Sequence, residues 1–148
     1  MKKKQYGRTD LRVSEICLGT GRIGWLSTKT SAYEVLDTYV DHGGNFIQAS
    51  AQAYLPSLEC NPLESEAVVG DWLKANASLR EQLVISGRIR CPQHLRGLEL
   101  EGSIRSQIEE TLKRLGTRYL DVVLLDWSKG FFPTYEVMCV LERFSDAG

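Results

Sequence analysis

The chain has 148 residues, 25% of them charged, with a formal net charge of −1. That length holds one domain with a real core, and the balanced charge supplies no attraction to nucleic acid or to an anionic membrane surface. The basic start, Met1 to Lys4, is not followed by the apolar run of a secretory signal, and no stretch approaches the roughly 20 apolar residues of a membrane span, so the expectation is a cytoplasmic protein without a nucleic-acid or membrane partner.

In chain order, Lys4 to Val13 reads as a small hairpin turning at Gly7-Arg8-Thr9-Asp10. Glu15–Thr20 (EICLGT) reads as a first short buried strand closed by glycine. Lys29–Gly44 reads as a helix, with Val35, Leu36, Tyr39 and Val40 on one face, Thr30 or Ser31 as cap and Gly43-Gly44 as stop. Asn45 to Ala49 (NFIQA) is the second strand. Asn61–Ala77 is the next helix, opened by Asn61-Pro62 and carrying Trp72 in its core. Gln82–Gly87 (QLVISG) is the third strand, followed by an irregular stretch from Arg88 to Leu100. Glu101–Gly116 is a helix, with Ile104, Ile108, Leu112 and Leu115 at helical spacing and Gly116 as its stop. YLDVVLLDW holds the fourth strand, and a last helix opens at Pro133.

After the hairpin the pattern is therefore strand–helix four times. Near-continuous apolar strands such as Val122–Leu125 predict a parallel sheet covered on both faces, an α/β fold. Gly19–Gly24 (GTGRIG) matches G-x-G-x-x-G, but Trp25, Leu26, Ser27 and Thr28 intervene before helical periodicity begins. A dinucleotide fingerprint needs its helix to start inside the motif, so a plain strand-to-helix loop is the better reading. Four scattered cysteines, Cys17, Cys60, Cys91 and Cys139, form no close pair, and His42 and His94 stand alone, so no metal site is expected. Cys17 and Cys139 read as small core fillers.

Several stretches, taken together, resemble the aldo-keto reductase family, in particular its aryl-alcohol-dehydrogenase-like branch. They are YGRTDLRVSEICLGTG, VLDTYVDHGGNFI, SEAVVGDWLK, LVISGRI and ETLKRLGTRYLDVVLLDW, in the family's order and spacing. The resemblance implies an eight-stranded (β/α) barrel that reduces carbonyls with NADPH. Such a barrel needs roughly 250 residues; this chain matches its N-terminal half, so a (β/α)4 half barrel is expected, closed by a homodimer or a separate partner.

The family's catalytic residues are a tyrosine, an aspartate, a lysine and a histidine at strand ends. Tyr54 matches the tyrosine. The aspartate falls on Ala49 or Gln48, the lysine on Arg88, and the histidine on Asp126, just before Trp127. Arginine never gives up its proton, and an aspartate anion opposes the negative charge that grows on a carbonyl oxygen during hydride delivery. On this basis the chain alone is expected to bind no cofactor. The expected chemistry is instead acid/base isomerisation, cyclisation, epimerisation or elimination on a hydrophobic carbonyl or aromatic small molecule. Asp126 would act as base, Tyr54 as proton donor and Arg88 as stabiliser, with Ser50, Gln52, Trp25 and Trp127 binding the substrate. Three alternatives stand beside it. The first is an NADP-dependent oxidoreductase whose site is completed by another chain or by further sequence. The second is a non-catalytic binding or regulatory subunit. The third is that Arg88 and Asp126 form a structural salt bridge between strands three and four.

Overall fold

The computed structural model describes residues 1–24, 27–49, 64–91, 94–126 and 134–147. Strands β1 (Lys3–Gln5) and β2 (Arg12–Ser14) pair antiparallel as a hairpin, Lys3 opposite Ser14. Then follow β3 (Leu18–Gly19), α1 (Lys29–Asp41), β4 (Phe46–Gln48), α2 (Glu64–Ala75), a 3-10 turn (Ala77–Gln82), β5 (Val84–Arg90), α3 (Gly97–Leu115), β6 (Val122–Asp126) and α4 (Thr134–Ala147). β3, β4, β5 and β6 lie side by side in that order, all parallel. Right-handed crossovers between strands laid down in sequence order put every helix on the same face of the sheet. The result is an α/β half barrel: a curved parallel sheet with helices outside.

The outer face is the core. Ile47, Ile85, Leu36, Tyr39, Val69, Trp72 and Leu115 pack under α1 and α2, and Ile89, Leu100, Ile104, Val137 and Val140 pack under α3 and α4. Trp72 is 1% exposed, and its indole N–H donates to Asp37 Oδ1 at 2.7 Å, so its one polar atom is satisfied where its ring is buried. The hairpin is fastened to the base of the sheet by Asn45. Its Oδ1 accepts from Ser14 N at 2.7 Å and its Nδ2 donates to Arg12 O at 2.8 Å. Among the described residues no helix is long and apolar enough to cross a membrane.

Several sequence expectations shift. The first strand pairs over only two residues, and Cys17 and Ile16 just before it are exposed, so Cys17 is not core; Cys139 is half-buried, and Cys91 is the buried cysteine. α1 is capped by Thr28, whose Oγ1 accepts from Ser31 N at 3.2 Å, rather than by Thr30 or Ser31. Its buried face runs through Ala32, Leu36 and Tyr39, leaving Val35 48% exposed. The third strand starts later, because a 3-10 turn takes up Gln82, and it continues past Gly87 through Arg90 because β6 pairs with it that far. Gly87 is not a stop. A Cβ there would meet Leu120 Cδ1 at 2.6 Å, so glycine lets a helix-side neighbour close on the sheet. α3 opens at Gly97, earlier than periodicity suggests. The expected openings of α2 at Asn61-Pro62 and of α4 at Pro133 lie outside the described residues.

Candidate active site

Strand alternation sorts the side chains. On β5, Ile85 and Ile89 pack against the helices, so Ser86, Arg88 and Arg90 belong to the opposite, inner face. On β6, Val123 and Leu125 join the helix-side core, which leaves Val122, Leu124 and Asp126 inside. On β4, Ile47 is outside, with Phe46 and Gln48 inside. The C-terminal half of the inner face thus carries Gln48, Arg88, Arg90 and Asp126, with Ser86 one step deeper, level with Val122 at the start of β6. Chemistry in β/α barrels gathers at this end because the loops that follow the strands converge there.

Arg88 and Asp126, singled out in the sequence, are both half-buried on this face. They are not direct partners. Arg88 stands opposite Leu124, and Asp126 stands opposite Arg90. The described residues contain no ion pair between Arg88 and Asp126, so the salt-bridge alternative is not what the geometry builds. Arg90 is the residue that sequence reasoning missed. The signal was present as period-two alternation, Arg88 and Arg90 between Ile89 and Cys91, but the strand was ended at Gly87. Trp25, Ser50, Gln52, Tyr54 and Trp127 lie outside the described residues.

The surroundings hold this strand end firmly. Gln107 of α3 accepts from Arg90 N at 2.9 Å through Oε1 and donates to Arg90 O at 2.8 Å through Nε2. Thr20, just past β3, donates to Gln48 O at 2.9 Å and accepts at its own carbonyl from Ser65 Oγ at 2.7 Å, which ties α2 to the strand ends. Burial first, and the Asp126 charge second, push the Cys91 thiol up to about 11, so it stays protonated and inert at neutral pH. Ser86 Oγ is fully buried and has no hydrogen-bond partner among the described residues.

Among the described residues no cluster of histidine, cysteine, aspartate or glutamate could hold a metal ion. Gly19–Gly24 spans the end of β3 and a turn, and α1 begins only at Lys29, so no helix N-terminus meets the glycine run. The described residues therefore do not make a dinucleotide cradle by themselves.

Comparison with known proteins places this geometry. The family model described as "Aldo/keto reductase family" matches residues 15–148. An uncharacterized oxidoreductase, YrpG, of Bacillus subtilis is 30% identical over 130 residues, covering 82% of this chain and 39% of that protein. An aryl-alcohol dehydrogenase of Pestalotiopsis microspora is 33% identical over 127 residues, covering 76% of this chain and 31% of that protein. A solved aldo-keto reductase from Klebsiella pneumoniae, in complex with NADPH, superposes with a TM-score of 0.73 at 25% identity, covering 93% of this chain and 43% of that one. The chain thus spans less than half the length of each of these proteins.

These matches correct the expected chemistry. A cofactor-independent isomerase, cyclase, epimerase or lyase finds no support: the family match is to reductases, and the curated relatives are an oxidoreductase and a dehydrogenase. The physical premise also weakens. The Asp126 anion that would oppose hydride delivery stands in register with a cation, Arg90, on the neighbouring strand.

Proposed function

We infer that this chain, which belongs to the aldo/keto reductase family, supplies the first half of an oxidoreductase site that interconverts a small carbonyl compound and its alcohol with NADPH. The observation that carries this is the alignment of its four parallel strands with reductase structures, one of them solved with NADPH, together with charged side chains at the C-terminal strand ends.

The cofactor supplies the hydride when bound. The described residues make no cradle for it by themselves, so in this reading residues of a complementary half take part in holding it. A second copy of the chain is one such half. β3 and β6 are edge strands, and the inner-face apolar residues Phe46, Val122 and Leu124 are only half-buried. A parallel sheet is stable when both faces are covered and its edges are paired, and two four-stranded halves meeting edge to edge satisfy both needs.

Within that site, Tyr54 is the proton donor, matched to the family's tyrosine. Arg88 keeps a permanent positive charge where the family has a lysine, on the face that meets the substrate. Arg90 offsets Asp126. Ser50, Gln52, Trp25 and Trp127 are assigned to substrate binding.

The test is NADPH oxidation by a panel of aromatic aldehydes and ketones at increasing chain concentration, beside calorimetric titration with NADPH. Turnover rising more steeply than chain concentration is expected from a site shared between copies. A folded chain that neither binds NADPH nor oxidises it at any concentration sinks the proposal.

A further inference from the structure

We propose that the inner face of β5 carries a carboxylate-binding subsite, built from Arg88 and Ser86, and that the substrate is a carbonyl compound bearing a carboxylate next to the reacting carbon, a 2-oxo acid. The inference rests on the reductase reading above and names its substrate class.

Three observations carry it. First, Arg88 makes no hydrogen bond or ion pair among the described residues, although it is half-buried on a sheet face. A guanidinium withdrawn from water without a partner is a site awaiting an anion, and its planar fork fits a carboxylate in bidentate fashion. Second, Ser86 stands two residues before Arg88 on the same strand and the same face, fully buried, with its hydroxyl unpartnered among the described residues. A buried donor left unmade is rare in folded proteins and calls for an acceptor. A carboxylate gripped by Arg88 presents a second oxygen for that hydroxyl. Third, among the described inner-face residues Arg88 has no carboxylate in register: Leu124 stands opposite it on β6, while Asp126 stands opposite Arg90. Opposite Ser86, Gln48 adds an amide to the same face.

The subsite also fixes where on the substrate the carboxylate sits. Arg88 occupies the strand-end position where the resemblance places the family's lysine, beside the reacting carbonyl. A carboxylate held there must be close to that carbonyl. With NADPH held by a complementary half, the cofactor would supply hydride to the ketone carbon and a proton donor of the site would protonate its oxygen, giving the 2-hydroxy acid and NADP; Arg88 and Ser86 would only hold the carboxylate.

The experiment compares benzoylformate with its methyl ester, which differ in the charge and by one methyl group, by calorimetry on the 148-residue chain. Wild type is expected to bind the acid about tenfold more tightly than the ester, a gap of one charge-assisted contact. R88M should abolish that preference, R88K should keep part of it through charge without the fork, and S86A should lower it about threefold. Circular dichroism checks that each variant is folded, and R88K keeps the comparison meaningful if R88M is not. Equal binding of acid and ester by wild type, or a preference that survives in R88M, overturns the subsite. Competition by 2′,5′-ADP that depends on Arg88 also overturns it, since the anion would then be a cofactor phosphate. NADPH binding with no acid preference removes the subsite and leaves the reductase reading intact. Acid preference without any NADPH binding does the reverse.

Discussion

The side-chain amide of Gln107 pairs with both backbone groups of Arg90, accepting from its N–H at 2.9 Å and donating to its carbonyl at 2.8 Å. A side chain on α3 thereby takes the place of a neighbouring strand at the last residue of β5. That same residue is in register with Asp126, so the clamp sets the geometry of the strand end on which the charged groups stand. Gln107→Ala removes both bonds and is expected to cost about 1–3 kcal/mol, since two backbone groups lose their partner near the surface. The fold should survive while amide exchange at Arg90 accelerates. Hydrogen exchange measured by NMR checks this, and unchanged protection at Arg90 would show that the clamp contributes nothing.

On the outer side, α2 and α3 are joined by a buried charge. Glu66 is fully buried and accepts from Arg114 Nε at 2.6 Å, with Thr111 Oγ1 at 3.4 Å as a further partner. One turn along α2, Gly70 lies so close to α3 that an added Cβ would strike the carbonyl of Arg114. Breaking the pair leaves an uncompensated anion inside. Arg114→Ala should therefore destabilise by about 3–5 kcal/mol, whereas replacing both residues by leucine or methionine should recover most of the loss. Urea unfolding of the two single variants and the double variant separates the cost of the unpaired charge from that of lost packing.

The architecture was largely legible because it is written in periodicity. Apolar runs of strand length alternating with helical spacing give parallel strands and covering helices without any tertiary information, and all four strand–helix units appear where the pattern put them. The errors fall where a local signal competed with pairing. Gly87 and Arg88 look like a strand's end when seen alone, but β6 supplies partners through Arg90, and a glycine is needed at 87 for Leu120 to close in. Cys17 looked buried because its sequence neighbours are apolar, yet strand pairing reaches only Leu18 and Gly19. Arg88 and Asp126 were identifiable by resemblance to reductase strand ends. Their offset of two register positions, and the arrival of Arg90 opposite Asp126, depend on how β5 and β6 slide past each other. No single strand records that.

Cys91 gives a pH prediction with a definite sign. Burial, followed by the Asp126 charge, raises its thiol from 9.0 to about 11 in the folded chain. A folded pKa above the unfolded one means that the native state holds the proton more tightly. The contribution to stability is therefore complete below pH 9.0 and is lost as pH rises toward about 11. Wild type should lose thermal stability across that window more steeply than Cys91→Ala does. Melting temperatures of both proteins at stepped alkaline pH test it. Parallel curves would mean that another group governs alkaline unfolding. The same raised pKa and its burial predict slow reaction of Cys91 with thiol reagents at neutral pH; the Cys17 thiol is also raised by desolvation, but it is exposed and should react faster than Cys91.

The register of Arg90 against Asp126 makes the last prediction, which concerns chemistry rather than stability. If Asp126 were an unopposed anion, it would raise the barrier to placing negative charge on a carbonyl oxygen nearby; with Arg90 in register its effect is offset. At a separation of roughly 8 Å and an effective dielectric constant of about 20, one unit charge is worth about 2 kcal/mol. Arg90→Met should accordingly slow NADPH-dependent reduction by roughly tenfold or more. Adding Asp126→Asn to that variant should restore most of the rate, because the anion that Arg90 was balancing is then gone. Steady-state kinetics on wild type, both single variants and the double variant form the required cycle. A double variant as slow as Arg90→Met alone would show that Arg90 acts by something other than balancing Asp126, and the site's charge arrangement would need a different reading.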